Sequence, residues 1–289
     1  MILDYLHRTF NNREIALISY LLIFIIWILT QKKIRKSITD VIKALMAWKI
    51  LASIFILMLY VSLIAYGLSK IGLWDKTLIK DTIYWTFGVG FIIMMNFDKA
   101  LKEKDYFKNL IKANFKLLLI IEFIIGLYVF GIITEFILMP FVILFSILLG
   151  YIEVYKEYKE VQNFLYIIFS ILGIVYLIYS GYHIYQDFND FASYDNLKVF
   201  LFPIIMSILF LPFAYSFALL IHYESLFVRL GFSLKDKKEL RRYAKWRIIL
   251  SVNFSILKLK RITPGFLFGG CSTKDDIKKE IRNKLKPIG

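Results

Sequence analysis

The sequence predicts an all-α integral membrane protein, a polytopic bundle of seven transmembrane helices. Hydrophobic residues make up 59% of the 289 residues and the mean hydropathy is +0.64, whereas soluble domains contain about 45–50% apolar residues. A water-soluble domain of this size has too much surface for its volume to bury that excess. Long apolar runs recur along the chain, and charged residues are concentrated between them. The excess apolar surface is therefore expected to face lipid.

Seven apolar runs are candidates for crossing the bilayer. A hydrocarbon core about 30 Å thick requires roughly 17–25 apolar residues in a helix. The first and third runs are short by this measure, and the other five are sufficient or nearly so. The runs are Ile15–Leu29, Ile50–Leu68, Thr82–Phe97, Leu117–Ile133, Phe136–Ile152, Phe164–Tyr182 and Val199–Ile221.

The third run, Thr82–Phe97, leaves two topologies open. A helix of its sixteen residues spans about 24 Å, so it crosses only with little tilt or with local thinning of the bilayer. In the alternative it is re-entrant or interfacial, which gives six crossings with both termini inside.

The distribution of basic residues favours the seven-span topology, because cytoplasmic segments are enriched in Lys and Arg. With the N-terminus outside and the C-terminus cytoplasmic, 31 of the 37 basic residues lie inside, compared with 30 in the alternative. The alternative also translocates the basic cluster at 32–36 directly after the first helix, where positive charge most influences orientation. We therefore expect a transmembrane domain at 1–221 and a basic cytosolic tail at 222–289.

One segment between the runs is amphipathic. Residues Lys32–Lys49 carry apolar side chains at helical spacing opposite Lys and Asp residues. This pattern indicates a helix on the inner membrane surface or a stem that enters the second span.

Glu122 is interpreted as the acidic residue well inside a predicted span. Intramembrane ionisable groups are functional-site hypotheses because burying them is costly. Glu122 is accordingly a candidate for a conducting or proton-linked role, or for a structural pair with Asn96, Asn114 or a lysine.

Residues Thr86–Gly90 form a Thr-x-Gly-x-Gly pattern of the kind found in potassium-channel filters. Here the apolar residues Phe91–Ile93 follow instead of an acidic residue. The alternative function of Gly88 and Gly90 is to let neighbouring helices approach closely.

Three prolines inside apolar runs are candidate hinges, since proline removes a helical hydrogen bond: Pro140, Pro203 and Pro212.

The tail from His222 contains 17 basic and 6 acidic residues. Two helices are predicted there, one capped by Ser233 and extending to about Arg247, and one starting at a Thr273–Asp276 capping box. Between them, Leu250–Ile256 alternate as a strand does whereas Trp246–Leu250 have a helical pattern, so the sequence leaves the fold of 246–270 open. Nucleic acid is disfavoured as a partner because no binding motif is present. Four basic residues of the first helix are candidate contacts for anionic lipid or a cytosolic protein: Arg241, Arg242, Lys245 and Arg247.

No catalytic, cofactor or metal motif is found in the sequence. His183 with Asp187, and His222 with Glu224, are too few ligands for a metal site, and Cys271 is a lone cysteine. We expect a non-enzymatic plasma-membrane component that self-associates and is controlled through its tail. It would either form or gate a passage or perturb the bilayer, as a bacterial defence or toxin effector does. The alternatives are a permease or the membrane subunit of a transport complex, and a lipid-acting membrane enzyme.

Overall fold

The computed structural model describes residues 10–96, 99, 103, 105–113, 117–155, 158–235, 237–262, 268 and 270–285, and these contain helices and no strand. We number the helices that the argument uses in chain order. They are α1 (Asn12–Thr30), α2 (Lys32–Leu45), α3 (Trp48–Lys70), α4 (Lys76–Met95), α5 (Tyr106–Ala113), α6 (Leu117–Leu127), α7 (Ile132–Tyr155), α8 (Lys159–Gln186), α9 (Phe188–Phe191), α10 (Tyr194–Ser233), α11 (Lys238–Val252), α12 (Ile256–Ile262) and α13 (Lys274–Leu285).

Six of the described helical stretches are long and apolar enough to cross a membrane: α1, α3, α4, α7, α8 and the stretch Phe188–Ser233, which contains α9 and α10. The prediction of a helical, multi-pass membrane protein is confirmed in this form. The seventh span and the sidedness of the termini stay predictions.

Helix α4 contains most of the short third run. It begins at Lys76, six residues before the predicted start, with a 3₁₀ turn capped by the Asp75 carboxylate, which accepts the Thr77 N–H at 2.9 Å. Its 20 residues extend about 30 Å, enough for a crossing. Thr86–Gly90 is a π-helical turn within it, and Phe97 lies outside the described residues.

The fourth run, Leu117–Ile133, differs from its predicted form. Helix α6 ends at Leu127, residues 128–131 are not helical, and α7 begins at Ile132. The physical reason is a side-chain bond: the Glu135 carboxylate in the first turn of α7 accepts the Phe130 N–H at 3.1 Å. Asn114, a predicted partner of Glu122, lies outside the described residues.

The chain divides into two compact units, residues 1–53 with 115–200 and residues 54–114 with 201–289. In the first unit, α1 packs on α7, α7 packs on α8, and α8 packs on α6. Helix α2 is a separate helix between breaks at Gln31 and at 46–47, and its apolar residues Val41, Ile42 and Leu45 are exposed.

In the second unit, buried contacts link α3 and α4 to α10. The Tyr60 hydroxyl donates to the Leu209 carbonyl at 3.0 Å, and the Trp85 indole N–H donates to the Ser207 hydroxyl at 3.2 Å. The ring of Trp85 also meets Phe210 edge to face, with centroids 5.1 Å apart.

The tail forms a hydrophobic core around the end of α10. Helix α10 is 40 residues long and continues unbroken through the predicted boundary between 221 and 222, which stays a prediction. Its residues Leu226 and Leu230 are fully buried with residues of α5 and of α11–α13, such as Tyr106, Ile248 and Ile277. The tail is therefore built directly on the last span.

In the tail one local prediction is wrong, one segment that the sequence left open is resolved, and one prediction is confirmed. Ser233 lies at the end of α10, where its hydroxyl donates to the Arg229 carbonyl, and the next helix begins at Lys238. The apparent strand at 250–256 is a helix end and a turn, because Asn253 adopts φ 51° and ends α11. The reciprocal Thr273–Asp276 cap is present, with N–H to oxygen distances of 2.9 and 3.2 Å.

Candidate functional site

The predicted intramembrane residues occupy different environments. Glu122 is exposed on α6. The Asn96 amide donates to the Ile92 carbonyl of its own helix at 3.0 Å. Gly88 is exposed, and a Cβ there would meet open space, whereas Gly90 is buried with the Trp85 ring 3.0 Å from the position of a Cβ. Their proposed roles stay predictions.

The three candidate hinge prolines lie inside helices that continue past them. Pro140 is in α7, and Pro203 and Pro212 are in α10. The Pro203 carbonyl accepts an additional bond from the Ser207 hydroxyl at 2.7 Å. Because that hydroxyl also receives the Trp85 indole N–H, it connects α4 to the proline segment of α10.

The predicted basic contacts of the tail lie on α11. Arg242 is exposed and Arg241 is half-buried. The Lys245 ammonium lies over the Phe227 ring, 5.2 Å from its centroid, in a cation–π contact. Arg247 lines an open cleft of about 420 Å³ between α11 and α13, together with Ser251, Ile281, Leu285 and two further cations, Lys278 and Arg282.

A buried ion pair not anticipated from the sequence lies where α1 and α7 begin. The Glu135 side chain is fully buried, and its Oε2 lies 3.5 Å from Nε of Arg13, whose side chain is 21% exposed. The Tyr176 hydroxyl of α8 donates to the same carboxylate, 3.3–3.4 Å from its two oxygens. The Arg13 guanidinium also stacks on the Tyr176 ring at 4.4 Å. One carboxylate thus joins three helices.

Aromatic rings enclose this ion pair. The Phe130 ring lies 4.5 Å from both Tyr176 and Tyr179, and Tyr179 in turn contacts His183. The Asn12 amide donates to the Phe130 carbonyl at 3.0 Å. These contacts exclude water from the carboxylate, so its charge is compensated mainly by Arg13.

Several buried donors around this site lack a hydrogen-bond partner within the described part of the chain. They are Nε and Nη2 of Arg13, the Tyr128 hydroxyl and the Ser180 hydroxyl. Ser180 lies one turn after Tyr176 on α8, and the Tyr128 ring stacks on His183 with centroids 5.5 Å apart. Buried polar atoms are normally paired, so these donors are available for water or for a small polar solute.

Sequence reasoning missed Glu135 because it fell in the gap between the fourth and fifth predicted runs. That gap is only two residues long, too short to connect two full spans through water. This was the available signal that the residue belongs inside a helix. Its partner Arg13 lies 122 positions earlier in the chain and gave no signal of its own.

Among the described residues, no group of three or more His, Cys, Asp and Glu side chains is placed to hold a metal ion. His183 is packed between aromatic rings, and His222 is buried in α10.

Comparison with known proteins gives no relative: no protein family, no curated protein and no solved structure matches this chain.

Proposed function

We propose that this protein crosses the plasma membrane seven times, with its N-terminus outside and its tail in the cytosol, and that it forms or gates a passage for a small polar solute or ion. The ion pair between Arg13 and Glu135 is the observation that carries the proposal of a passage. The topology rests on contacts within each unit and on counting crossings along the chain.

Helix α5 and the tail lie on one face of the membrane, because Tyr106 and Phe107 pack into the tail core. In the proposed seven-span topology α3 and α4 cross in opposite directions, so α2 is assigned to the tail face and Asn12, at the start of α1, to the opposite face. This assignment concentrates the basic residues on the tail face, which supports a cytosolic location for that face.

The Asn12 contact supports the proposed seventh crossing. The Asn12 amide bonds the Phe130 carbonyl, so an outer position for Asn12 gives residue 130 the same position, which is consistent with a crossing between α5 and Phe130. That segment includes α6. The remaining spans agree with this count: α7 and α8 cross and return, which brings Tyr176 back to Glu135, and α10 crosses to the tail.

Burial of the ion pair in this position favours a functional role. Ionisable groups within membrane spans are costly and commonly mark the pathway of an ion or solute. A purely structural clamp would be expected to satisfy its donors, whereas Arg13, Tyr128 and Ser180 retain unpaired donors in the described structure. A solute with oxygen acceptors would satisfy Arg13 Nη2 and the Tyr128 and Ser180 hydroxyls while Arg13 Nε stays beside Glu135.

Control through the tail is supported by α10. Its residues Leu226 and Leu230 are core residues of the tail, so a protein or lipid that displaces the tail acts directly on a membrane span. We further propose that copies of the chain associate in the membrane, with the passage completed in the assembly.

Ion and dye flux into vesicles that contain only this protein tests the proposal. We expect flux above that of protein-free vesicles for the wild type, and a flux changed several-fold in Glu135→Gln, which removes the charge but keeps an acceptor for the Phe130 N–H. Glu122→Gln is the matched control, because Glu122 is an exposed carboxylate of the same unit.

Wild-type flux equal to that of protein-free vesicles would refute a self-sufficient passage. A normal flux in Glu135→Gln with a changed flux in Glu122→Gln would move the site to α6. Crosslinking in native membranes, followed by mass measurement of the complexes, tests self-association separately.

The unpaired donors also support a second candidate, a permease or the membrane subunit of a transport complex. Such a subunit binds its solute without conducting it freely. Purification from native membranes with a stoichiometric ATPase, together with no flux from the isolated protein, would favour this candidate.

A further inference from the structure

The turn between α11 and α12 exposes large apolar side chains although it belongs to the water-facing tail. Phe254 is 81% exposed, Leu250 and Leu257 are each 62% exposed, and Trp246 is 60% exposed. Trp246 and Leu250 are four residues apart on one face of α11, and Phe254 and Leu257 follow in the chain after that helix ends. These residues form what we call the apolar turn, Trp246–Leu257.

Hydrogen bonds fix the apolar turn beside the last membrane span. The Tyr215 hydroxyl of α10 donates to the Phe254 carbonyl at 2.6 Å and accepts the Ile256 N–H at 3.3 Å. The Tyr223 hydroxyl donates to the Asn253 carbonyl at 2.7 Å. Two carbonyls and one N–H of the turn backbone are therefore bonded to tyrosine side chains of α10.

These bonds set the depth of the turn. Tyr215 precedes Ile221, the last residue of the apolar run, by six residues, which is about 9 Å of helix. Tyr223 follows Ile221 by two residues. The turn contacts both tyrosines, so its backbone lies at the level where α10 leaves the hydrocarbon, and its exposed side chains cannot be far from the headgroups.

The charge of the surrounding chain suits an anionic surface. Residues Trp246–Ile262 contain the basic residues Arg247, Lys258, Lys260 and Arg261 and no acidic residue. Lys258 and Arg261 are exposed. Tryptophan and basic side chains with apolar neighbours are typical of segments that lie in a membrane interface.

We propose that the apolar turn inserts into the leaflet from which α10 emerges. Phe254 and Leu257 enter the upper acyl region, and the adjacent Lys258 and Arg261 contact the phosphates of anionic phospholipids. Another protein would have to reach the turn at membrane depth, whereas an α10 that crosses the membrane brings the headgroups to the level of Tyr215 and Tyr223. The inference does not depend on the proposed passage, because it requires only that α10 crosses the membrane.

A depth measurement on the full-length protein in nanodiscs tests the proposal. A fluorophore is attached at Phe254→Cys, or in a second preparation at Leu257→Cys, in a Cys271→Ser background that removes the native thiol. Lys238→Cys is the matched control, since Lys238 is exposed at the opposite end of α11. Quenching is compared between lipids that carry a nitroxide on the upper acyl chain and iodide in solution.

We expect the nitroxide lipids to quench the labels at 254 and 257 at least threefold more than the label at 238, with the reverse order for iodide. Equal iodide quenching at all three positions would refute insertion. Protection of 254 and 257 from both quenchers would also refute it, because a second protein would then cover the turn.

The choice of lipid tests the anionic part of the proposal. Replacing phosphatidylglycerol with phosphatidylcholine should reduce acyl-chain quenching at 254 about twofold or more, as should Lys258→Gln with Arg261→Gln in phosphatidylglycerol. Unchanged quenching in both experiments would overturn the phosphate contact.

Discussion

Removal of Arg13 should destabilise the protein more than neutralisation of Glu135. In Arg13→Met, the fully buried Glu135 carboxylate loses its counter-charge and keeps only the Phe130 N–H and the Tyr176 hydroxyl as donors. Removing one partner of a buried ion pair costs about 3–5 kcal/mol of unfolding free energy.

Glu135→Gln has a smaller effect for two structural reasons. The glutamine oxygen still accepts the Phe130 N–H, and the Arg13 side chain, which is 21% exposed, can turn towards water. We expect a loss of about 1.5–3 kcal/mol, the scale of one hydrogen bond to a charged group.

The double variant Arg13→Met with Glu135→Gln separates a charge pair from independent packing effects. It removes both charges and keeps the acceptor, so it should lose no more than Glu135→Gln alone, because replacing a whole buried pair is often neutral. The coupling energy between the two sites is then about 3 kcal/mol, well above the roughly 0.5 kcal/mol that distant sites show.

The assay is the free energy of unfolding in detergent micelles, from the denaturant dependence of the helical circular dichroism signal. Glu122→Gln provides the control and should change stability by no more than about 0.5 kcal/mol, since exposed substitutions rarely exceed that. If the losses in the two single variants simply add in the double variant, Arg13 and Glu135 do not form the ion pair described.

Three further predictions concern the tail and α4. Burial and nearby acidic groups raise the pKa of the Cys271 thiol, so its alkylation in the native state should stay slow at pH 8. The free energy of unfolding should fall above pH 9, because there the thiol ionises in the unfolded chain but not yet in the folded one. Hydrogen bonds from Thr273 lower the pKa of Asp276 below its ordinary value of 3.8. The folded state is therefore stabilised above pH 3.8, and this stabilisation should be lost as the pH falls and Asp276 is protonated. In Thr273→Ala, the free energy of unfolding should depend less on pH in this acid range. Gly90→Ala should unfold more readily than Gly88→Ala, because only the former meets the indole.

The extent of the apolar helices could be read from the sequence because lipid imposes a simple requirement on composition. Their ends were harder to predict, since charged residues occur inside helices there. Lys80 and Asp81 belong to α4, which made its run seem too short. Long charged side chains near a helix end can reach the headgroups, so hydropathy alone sets the boundary too late.

The ion pair could not be derived from hydropathy because it depends on packing between distant segments. Glu122 was the more conspicuous carboxylate since it stands within an uninterrupted apolar run, yet it is exposed on α6. Glu135 was taken as part of a connection, although it is fully buried. A test of connection length, two residues between two spans, would have identified it as a helical residue.

The length of α10 connects the membrane region to the tail in a way that the predicted boundary did not anticipate. Its 40 residues extend about 60 Å, roughly twice the hydrocarbon thickness, so the segment of α10 beyond Ile221, about 18 Å long, is available as the central element of the tail. Tyr215 and Tyr223 bind the apolar turn to this helix. If the turn inserts into lipid as proposed, a tilt of α10 would move it, since both are joined by these hydrogen bonds. The proposed control through the tail would then require no flexible linker, because the tail core and the last candidate span share one helix.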